Sequence, residues 1–334
     1  YNVDIKDLSK LKKFTQQQLN GAVKLNGTVK GNQTLTVVDG TADVADAKTE
    51  YNVTLKDFKP DTVKYSMKGA KIDSILHMAN QPIFAKGFVD ITANITHPNP
   101  DFCDGKIVTK IYDGSVNIPV VNKNFEMKLK KALNFKGEIV TSLDPTKAVS
   151  KVDFFTSIAD IFVQKAVVDL RDISINSDYQ VKISDLNNLY DLTNTKMRGA
   201  IQLDGTVAKT KDLIVTGTSN LFAGKLDFKL NNDDFTANVN NIEVKSLTHM
   251  LFYPEVFDSR AQAVVNYNLL KSTGTLSADL KNGQFINNQF STLINQLARF
   301  DLTKEVYEVV KLESKINKEI INSIVNMKSK HTNI

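Results

Sequence analysis

The sequence predicts a mainly β protein, built from repeats, in which open antiparallel sheet is capped by short helices. Three observations carry this reading. The chain contains itself, residues 1–30 aligning without a gap on residues 179–208. Most of its length alternates apolar and polar residues, the pattern of sheet that is wet on one side. Turn-forming dipeptides and short helical spacings recur at matching places in the two copies.

In the gapless stretch Tyr1, Val3, Ile5, Leu8 and Leu11 meet Tyr179, Val181, Ile183, Leu186 and Leu189, and Gly21, Leu25 and Gly27 meet Gly199, Leu203 and Gly205. Further on, Leu35 and Val37 meet Leu213 and Val215, Ser74-x-x-His77-Met78 meets Ser246-x-x-His249-Met250, and Gly105, Ile107, Ile111 and Gly114 meet Gly274, Leu276, Leu280 and Gly283. Repeats of this size, made of alternating strands, grow an array by adding units and build surface in preference to a pocket.

Taken in order, helical spacing is expected over 7–18, then a strand over 22–30. Val23, Leu25 and Val29 line one side of that strand, with Lys24, Asn26, Thr28 and Lys30 on the other. Alternation predicts further strands at 51–55, 89–95, 107–111, 116–120, 125–129, 166–175 and 264–267. Helices are expected over 72–78, 152–163, 185–195 and 244–252, each placing apolar residues three or four apart. Turns are read at Lys30-Gly31-Asn32, Asp39-Gly40, Asp113-Gly114, Asn231-Asn232-Asp233 and Lys281-Asn282-Gly283. In the tail, Leu293, Leu297 and Phe300, then Val306, Val309, Val310 and Leu312, recur at helical spacing. Residues 314–334 fit either a helix or a returning strand.

Composition narrows the function. Of 334 residues 42% are hydrophobic and 24% charged, without an apolar run long enough to span a bilayer. The net charge of +5 is spread over lysines, and the arginines are only Arg171, Arg198, Arg260 and Arg299. Outward lysines solvate a sheet and guard its edges, whereas nucleic-acid binders cluster arginine with aromatics. No nucleic-acid partner is expected. Cys103 is the single cysteine, so neither a disulfide framework nor a thiolate metal site is expected.

Candidate chemistry is thin. His77 and His249 lack a His, Cys or paired carboxylate within helical reach and read as surface histidines, and His97 and His331 are isolated. The Asp-Gly turns lack the alternating acids of a calcium loop. Asn52-Val-Thr54 and Asn94-Ile-Thr96 fit a glycosylation pattern that an Asn- and Thr-rich chain produces by chance. No phosphate loop or nucleophile elbow is present. Catalytic residues, metal and cofactor are all expected to be none. The alternation itself fits two arrangements: an open groove, or the core face of a two-sheet sandwich. The small residues Ala93, Ala263 and Ala278 fit both.

The segments 199–207, 213–219 and 220–226 resemble the AsmA-like proteins of the bacterial envelope, and 37–41, 301–307 and 327–330 fit the same pattern more loosely. The resemblance implies a twisted open antiparallel sheet forming an elongated hydrophobic groove. It also implies a periplasmic location, an inner-membrane anchor outside this segment, and carriage of phospholipids toward the outer membrane. It transfers no catalytic residue. On this basis acyl chains are expected to touch Val23, Leu25, Val29, Val53, Leu55, Ile107 and Ile111 in the first copy. In the second copy they are expected to touch Ile201, Leu203, Val207, Leu213 and Val215. The expected organisation is a first unit at 1–178 with an extension over 115–178, a second at 179–284, and a truncated segment at 285–334. The chain is expected to be a piece of a longer protein, with outer-membrane or periplasmic proteins as further partners. A structural or adhesive β-repeat module, and an outer-membrane protein assembly factor, present the same surfaces.

Overall fold

Alternation at period two becomes strand through most of the chain. The computed structural model describes residues 1–99, 102–125, 129–131, 133–318 and 320–333. It divides into two units, Tyr1–Ser177 and Asp178–Ile334.

Unit 1 runs β1 (Asn2–Ile5), a 3₁₀ turn, α1 (Lys12–Thr15), β2 (Val23–Gly31), β3 (Leu35–Val44), β4 (Ala47–Lys56) and β5 (Lys59–Lys71). It continues with α2 (Ile72–Met78), β6 (Ala85–Asn99), β7 (Phe102–Val116), α3 (Ile118–Phe125), β8 (Asn134–Asp144), β9 (Lys147–Thr156) and β10 (Asp160–Asp169). Each strand pairs antiparallel with its sequence neighbours, a plain meander.

Unit 2 repeats the order. β11 (Ile175–Ile183) leads through a 3₁₀ turn and α4 (Tyr190–Thr193) to β12 (Ile201–Lys209), β13 (Leu213–Leu221), β14 (Gly224–Asn231) and β15 (Asp234–Glu243). Then come α5 (Val244–Met250), β16 (Phe257–Asn268), β17 (Thr273–Phe285), α6 (Gln289–Ala298), a second 3₁₀ turn, β18 (Val306–Asn317) and β19 (Ile320–Ser329). From β12 to β19 the strands again form an antiparallel meander. The protein is mainly β, with open antiparallel sheet and short helices. The tail from 285 joins unit 2 through the pairing of β17 with β18.

The repeat extends to details that sequence identity alone would not require. Asp7 accepts a hydrogen bond from the Ser9 amide (3.0 Å), as Asp185 does from the Asn187 amide (2.9 Å), opening the same 3₁₀ turn in each unit. α1 and α4 both stop on a left-handed residue, Gln16 and Asn194. β-Bulges recur as well. The shift at Met67/Ala70 corresponds to the one at Val239/Ile242, and that at Lys86/Phe88, opposite Ser115 and Tyr112, to Asp258/Arg260, opposite Gln284 and Lys281. Each holds a residue at positive φ: Gly69 (68°), Asn241 (53°), Asp113 (50°) and Asn282 (50°). A bulge takes in one extra residue, bends the strand and raises the sheet's twist.

These bulges correct two expected turns: Asp113-Gly114 lies inside β7 and Lys281-Asn282-Gly283 inside β17. Asp39-Gly40 also lies inside a strand, β3, where Gly40 faces Gly27 and Tyr51. The helix expected over 152–163 is instead the β9–β10 hairpin. Its turn is closed by Thr156, whose hydroxyl accepts from the amides of Ile158 (3.2 Å) and Ala159 (2.9 Å). The helical spacing read at 306–312 is strand β18; its run of β-branched valines favours a pleated surface. Of the two options for 314–334, strand is found, ending β18 and forming β19.

The strand expected over 116–120 is the start of α3. Pro119 sits in the first helical turn, where its missing N–H costs nothing. The strand expected over 166–175 stops at Asp169 in a turn before β11 resumes. Expected strand 125–129 begins at the last residue of α3, and 126–128 lie outside the described residues. The helices expected over 7–18 and 185–195 shorten to a 3₁₀ turn and one α turn each.

The chain exposes 20991 Å². Two separate compact bodies sharing its 37.2 kDa would expose only about 16,500 Å².

Candidate functional site: the apolar face of each sheet

The register fixes which side chains share a face, because directly opposed residues point the same way. In unit 1 one row crosses the sheet as Leu25, Ala42, Thr49, Met67, Ile91, Thr109, Ile139, Val152 and Val163. Four residues along, Val29, Val38, Val53, Val63 and Ile95 form a parallel row. The opposite face carries Asn26, Thr41, Glu50, Ser66 and Thr92 at the matching positions. In unit 2 the face runs through Leu226, Val239, Ala263, Ala278, Leu312 and Val325.

Val23, Leu25, Val29, Val53, Leu55, Ile107 and Ile111 all lie on the apolar face of unit 1. Ile201, Leu203, Val207, Leu213 and Val215 lie on that of unit 2. None is fully buried. Val29 is 58% exposed and the others are partly so. Among the described residues no second sheet lies over either face within its own unit, so they form no sandwich there. The sequence selected only part of each face. Ile139, Val152 and Val163 also belong to it, and the alternation in 135–143 was a signal for the first of them.

Cover is confined to one end of the strands. There α2 lays Ile72, Ile75 and Met78 on Ala45, Ala47, Met67, Ala70 and Val89, a small core in which Ala70 is wholly buried. Unit 2 builds a related plug from aromatic rings. Phe257, Phe285 and Tyr307 pack edge-on or tilted at 5.1–6.3 Å between centroids, and Phe290 of α6 joins them at 6.1 Å from Phe285.

A tyrosine bed interrupts the aliphatic rows. Gly27 and Gly40 oppose each other, and the rings of Tyr1 and Tyr51 lie over them with their hydroxyls 2.6 Å apart. A Cβ on Gly40 would come within 2.5 Å of the Tyr51 ring, which is why the Asp39-Gly40 pair is a strand site. Desolvation, then the bond to Tyr1, pushes the Tyr51 hydroxyl up to about 12. In unit 2 Tyr179 lies over Gly205 and Gly217, donating to the Thr216 carbonyl (2.9 Å), with Phe228 in the place of Tyr51.

The Ser-x-x-His-Met segments tie the fold together. The Met78 carbonyl accepts from the Asn20 amide (2.9 Å), and that of Met250 from the Arg198 amide (2.8 Å). Ser74 donates to Asp46 (2.8 Å), and this bond, with Lys71 at 3.2 Å, holds the Asp46 carboxyl below its usual range. His249 lies 2.7 Å from Glu255, while the Arg198 guanidinium stacks on Phe252 at 3.9 Å. Among the described residues no three His, Cys, Asp or Glu side chains gather as metal ligands. No helix among them is long and apolar enough to cross a membrane.

Two hollows lie on the polar faces, and others sit beside α2 and α5. In unit 1 a depression of about 810 Å³ is walled by Asn26, Asp39, Glu50, Asn52, Lys64 and Asn94. In unit 2 one of about 380 Å³ is walled by Asp227, Asn238, Asn240, Gln262 and Asp279. No family model matches this chain, and no curated protein or solved structure does so either.

Proposed function

We infer that the chain is a periplasmic segment of a bridge-type lipid carrier, shielding phospholipid acyl chains on its apolar faces between the inner and outer membranes. The observation that supports this reading is an apolar face that runs strand after strand in each unit and is partly exposed at such positions as Leu25, Val53, Ile107, Ile139, Leu203 and Leu226. A sixteen-carbon tail in water carries on the order of 12 kcal/mol of unfavourable hydration, at about 0.8 kcal/mol per CH₂. A carrier has to replace that water along a path, and aliphatic rows without directional contacts allow a tail to slide. The sequence resemblance to AsmA-like proteins points the same way.

The test is mass spectrometry of an organic extract of the purified chain, beside a mock preparation and an unrelated soluble protein. Near-stoichiometric phospholipid, lost in a folded Leu203→Asp variant, is the expected result. A lipid-free chain overturns the reading. A binding module for proteins or glycans is the second reading, and the Asn- and Asp-walled hollows favour it. It predicts that Leu203→Asp leaves partner binding intact while Asn52→Ala and Asn94→Ala abolish it.

A further inference from the structure

The same cleft is built in both units. Each is walled by the glycine that leads into the second strand, by the turn of the hairpin that follows, and by the Ser, His and Met of the short helix. In unit 1 these are Gly21, Ala45-Asp46, and Ser74, His77 and Met78, around about 540 Å³. In unit 2 they are Gly199, Phe222, and Ser246, His249 and Met250, around about 460 Å³. Both volumes fall within the range of small-molecule sites, about 300–1,000 Å³. The backbone is copied too, with Gly21 at φ 90° and Gly199 at φ 92°.

The charge is not copied. The unit 1 cleft carries Asp43, Asp46 and Asp73 against Lys24. That of unit 2 carries Arg198, Lys245 and His249 against Glu255. In the self-alignment Arg198 stands at the place of Asn20, Lys245 at that of Asp73 and Glu255 at that of Ile83. The left-handed turn residue Asp46 is matched by Ala223.

The cations of the second cleft lack a counter-charge. Glu255 is engaged by His249, 2.7 Å from its Nδ1, and Glu243 accepts from the Ser246 hydroxyl. Among the described residues no carboxylate pairs with Arg198 or with the half-buried Lys245. Arg198 is held in place: its guanidinium lies 3.9 Å from the Phe252 ring centroid, with Nη1 3.4 Å from His249 Nε2. Its amide is fixed to the Met250 carbonyl (2.8 Å). Stacking fixes the plane of a guanidinium and leaves N–H groups along its edge for paired bonds to an oxyanion.

We propose that the cleft between α5 and Gly199 binds a phosphate-bearing anion, with Arg198 as the forked donor and Lys245 as the point charge. The apolar face of unit 2 begins at Ile201, two residues beyond Gly199. A phospholipid headgroup held here therefore starts its acyl chains on that face. The lipid source rests on the carrier reading; the anion site does not.

The full chain is titrated with inorganic phosphate and with dihexanoylphosphatidylglycerol below its micelle concentration, in about 0.15 M chloride to screen diffuse charge. Binding is read by phosphorus NMR. Saturable phosphate binding is expected. It should weaken at least about tenfold in Arg198→Asn and in Lys245→Asp, which install the unit 1 residues. Lys24→Gln, made in the acidic cleft, should leave it unchanged, and all three variants should keep the wild-type thermal midpoint. No binding up to about 10 mM phosphate overturns the proposal, as does full affinity in Arg198→Asn or an equal loss in Lys24→Gln. Tighter binding of the short-chain lipid, its surplus removed by Leu203→Asp, assigns the anion to a headgroup. Equal affinities untouched by Leu203→Asp assign it to free phosphate and overturn the lipid source. A lipid-free organic extract beside intact phosphate binding sinks the carrier reading and leaves the anion site standing.

Discussion

A single substitution made at two places on one face measures whether that face is open. Leu25 and Ala70 both belong to the apolar face of unit 1. Leu25 is partly exposed between Val3 and Ala42, whereas Ala70 is wholly buried under α2. Leu25→Asp removes about half the burial of a leucine, worth ~1–1.5 kcal/mol, and leaves the new carboxylate in contact with water. Ala70→Asp places a charge where no cation or donor answers it, at a cost of at least ~4 kcal/mol. Urea titration reads both through the shift in midpoint at constant slope. For a unit of this size the Leu25 change corresponds to ~2–6 °C in thermal midpoint, while the Ala70 variant is expected to lose its folded unit 1. Equal costs at the two sites would refute the open face, since they would mean that Leu25 too is sealed from water.

Further outcomes follow from the same structure. Tyr51, raised to about 12 by desolvation and the Tyr1 hydroxyl, should stay protonated while ordinary tyrosines ionise in a spectrophotometric titration. Its folded value lies above the unfolded one, so the stability it supplies is present below pH 10 and lost as pH rises toward 12; Tyr51→Phe should flatten that loss. Glu305 is held below the usual glutamate range by Ser329 and then His331. Its contribution is present above the unfolded value and lost as pH falls through the folded one, so Glu305→Gln should remove part of the acid sensitivity of β18–β19, read by hydrogen exchange. Gly40→Ala should displace the Tyr51 ring, visible as a changed near-ultraviolet circular dichroism signal together with ~1–3 kcal/mol of lost stability.

Much of this architecture was legible in the sequence because a half-wet antiparallel strand writes its face as alternation. Leu25 and Leu203 declared their side of the sheet that way, and the self-alignment placed α2 and α5 within two residues. Failures came where one signal has two meanings. Asp-Gly and Asn-Gly supply a left-handed residue followed by glycine, which serves a bulge inside β7 or β17 as well as a hairpin turn. At 152–163 a densely apolar run satisfies helical spacing and a hairpin equally, and only the Thr156 turn decides. Val116, Ile118 and Val120 alternate like a strand, but Pro119 suits a helical first turn. The cleft beside α5 was not legible, because Arg198, Lys245 and Glu255 reach it from separate segments, and local pattern does not record which segments meet.

The meander has a consequence for how the protein comes apart. Nearly every paired strand adjoins only the strand before it and the strand after it in sequence, so contacts are short in chain distance and each unit resembles a zipper. In such a row the loss of one strand removes support from its immediate neighbours and little else. Unfolding should then travel inward from the unguarded teeth, with exchange rates graded from the edge strands toward the middle. Damage at β19 would be felt at β18 and hardly at β13, and a length of the row could be rebuilt without disturbing the remainder.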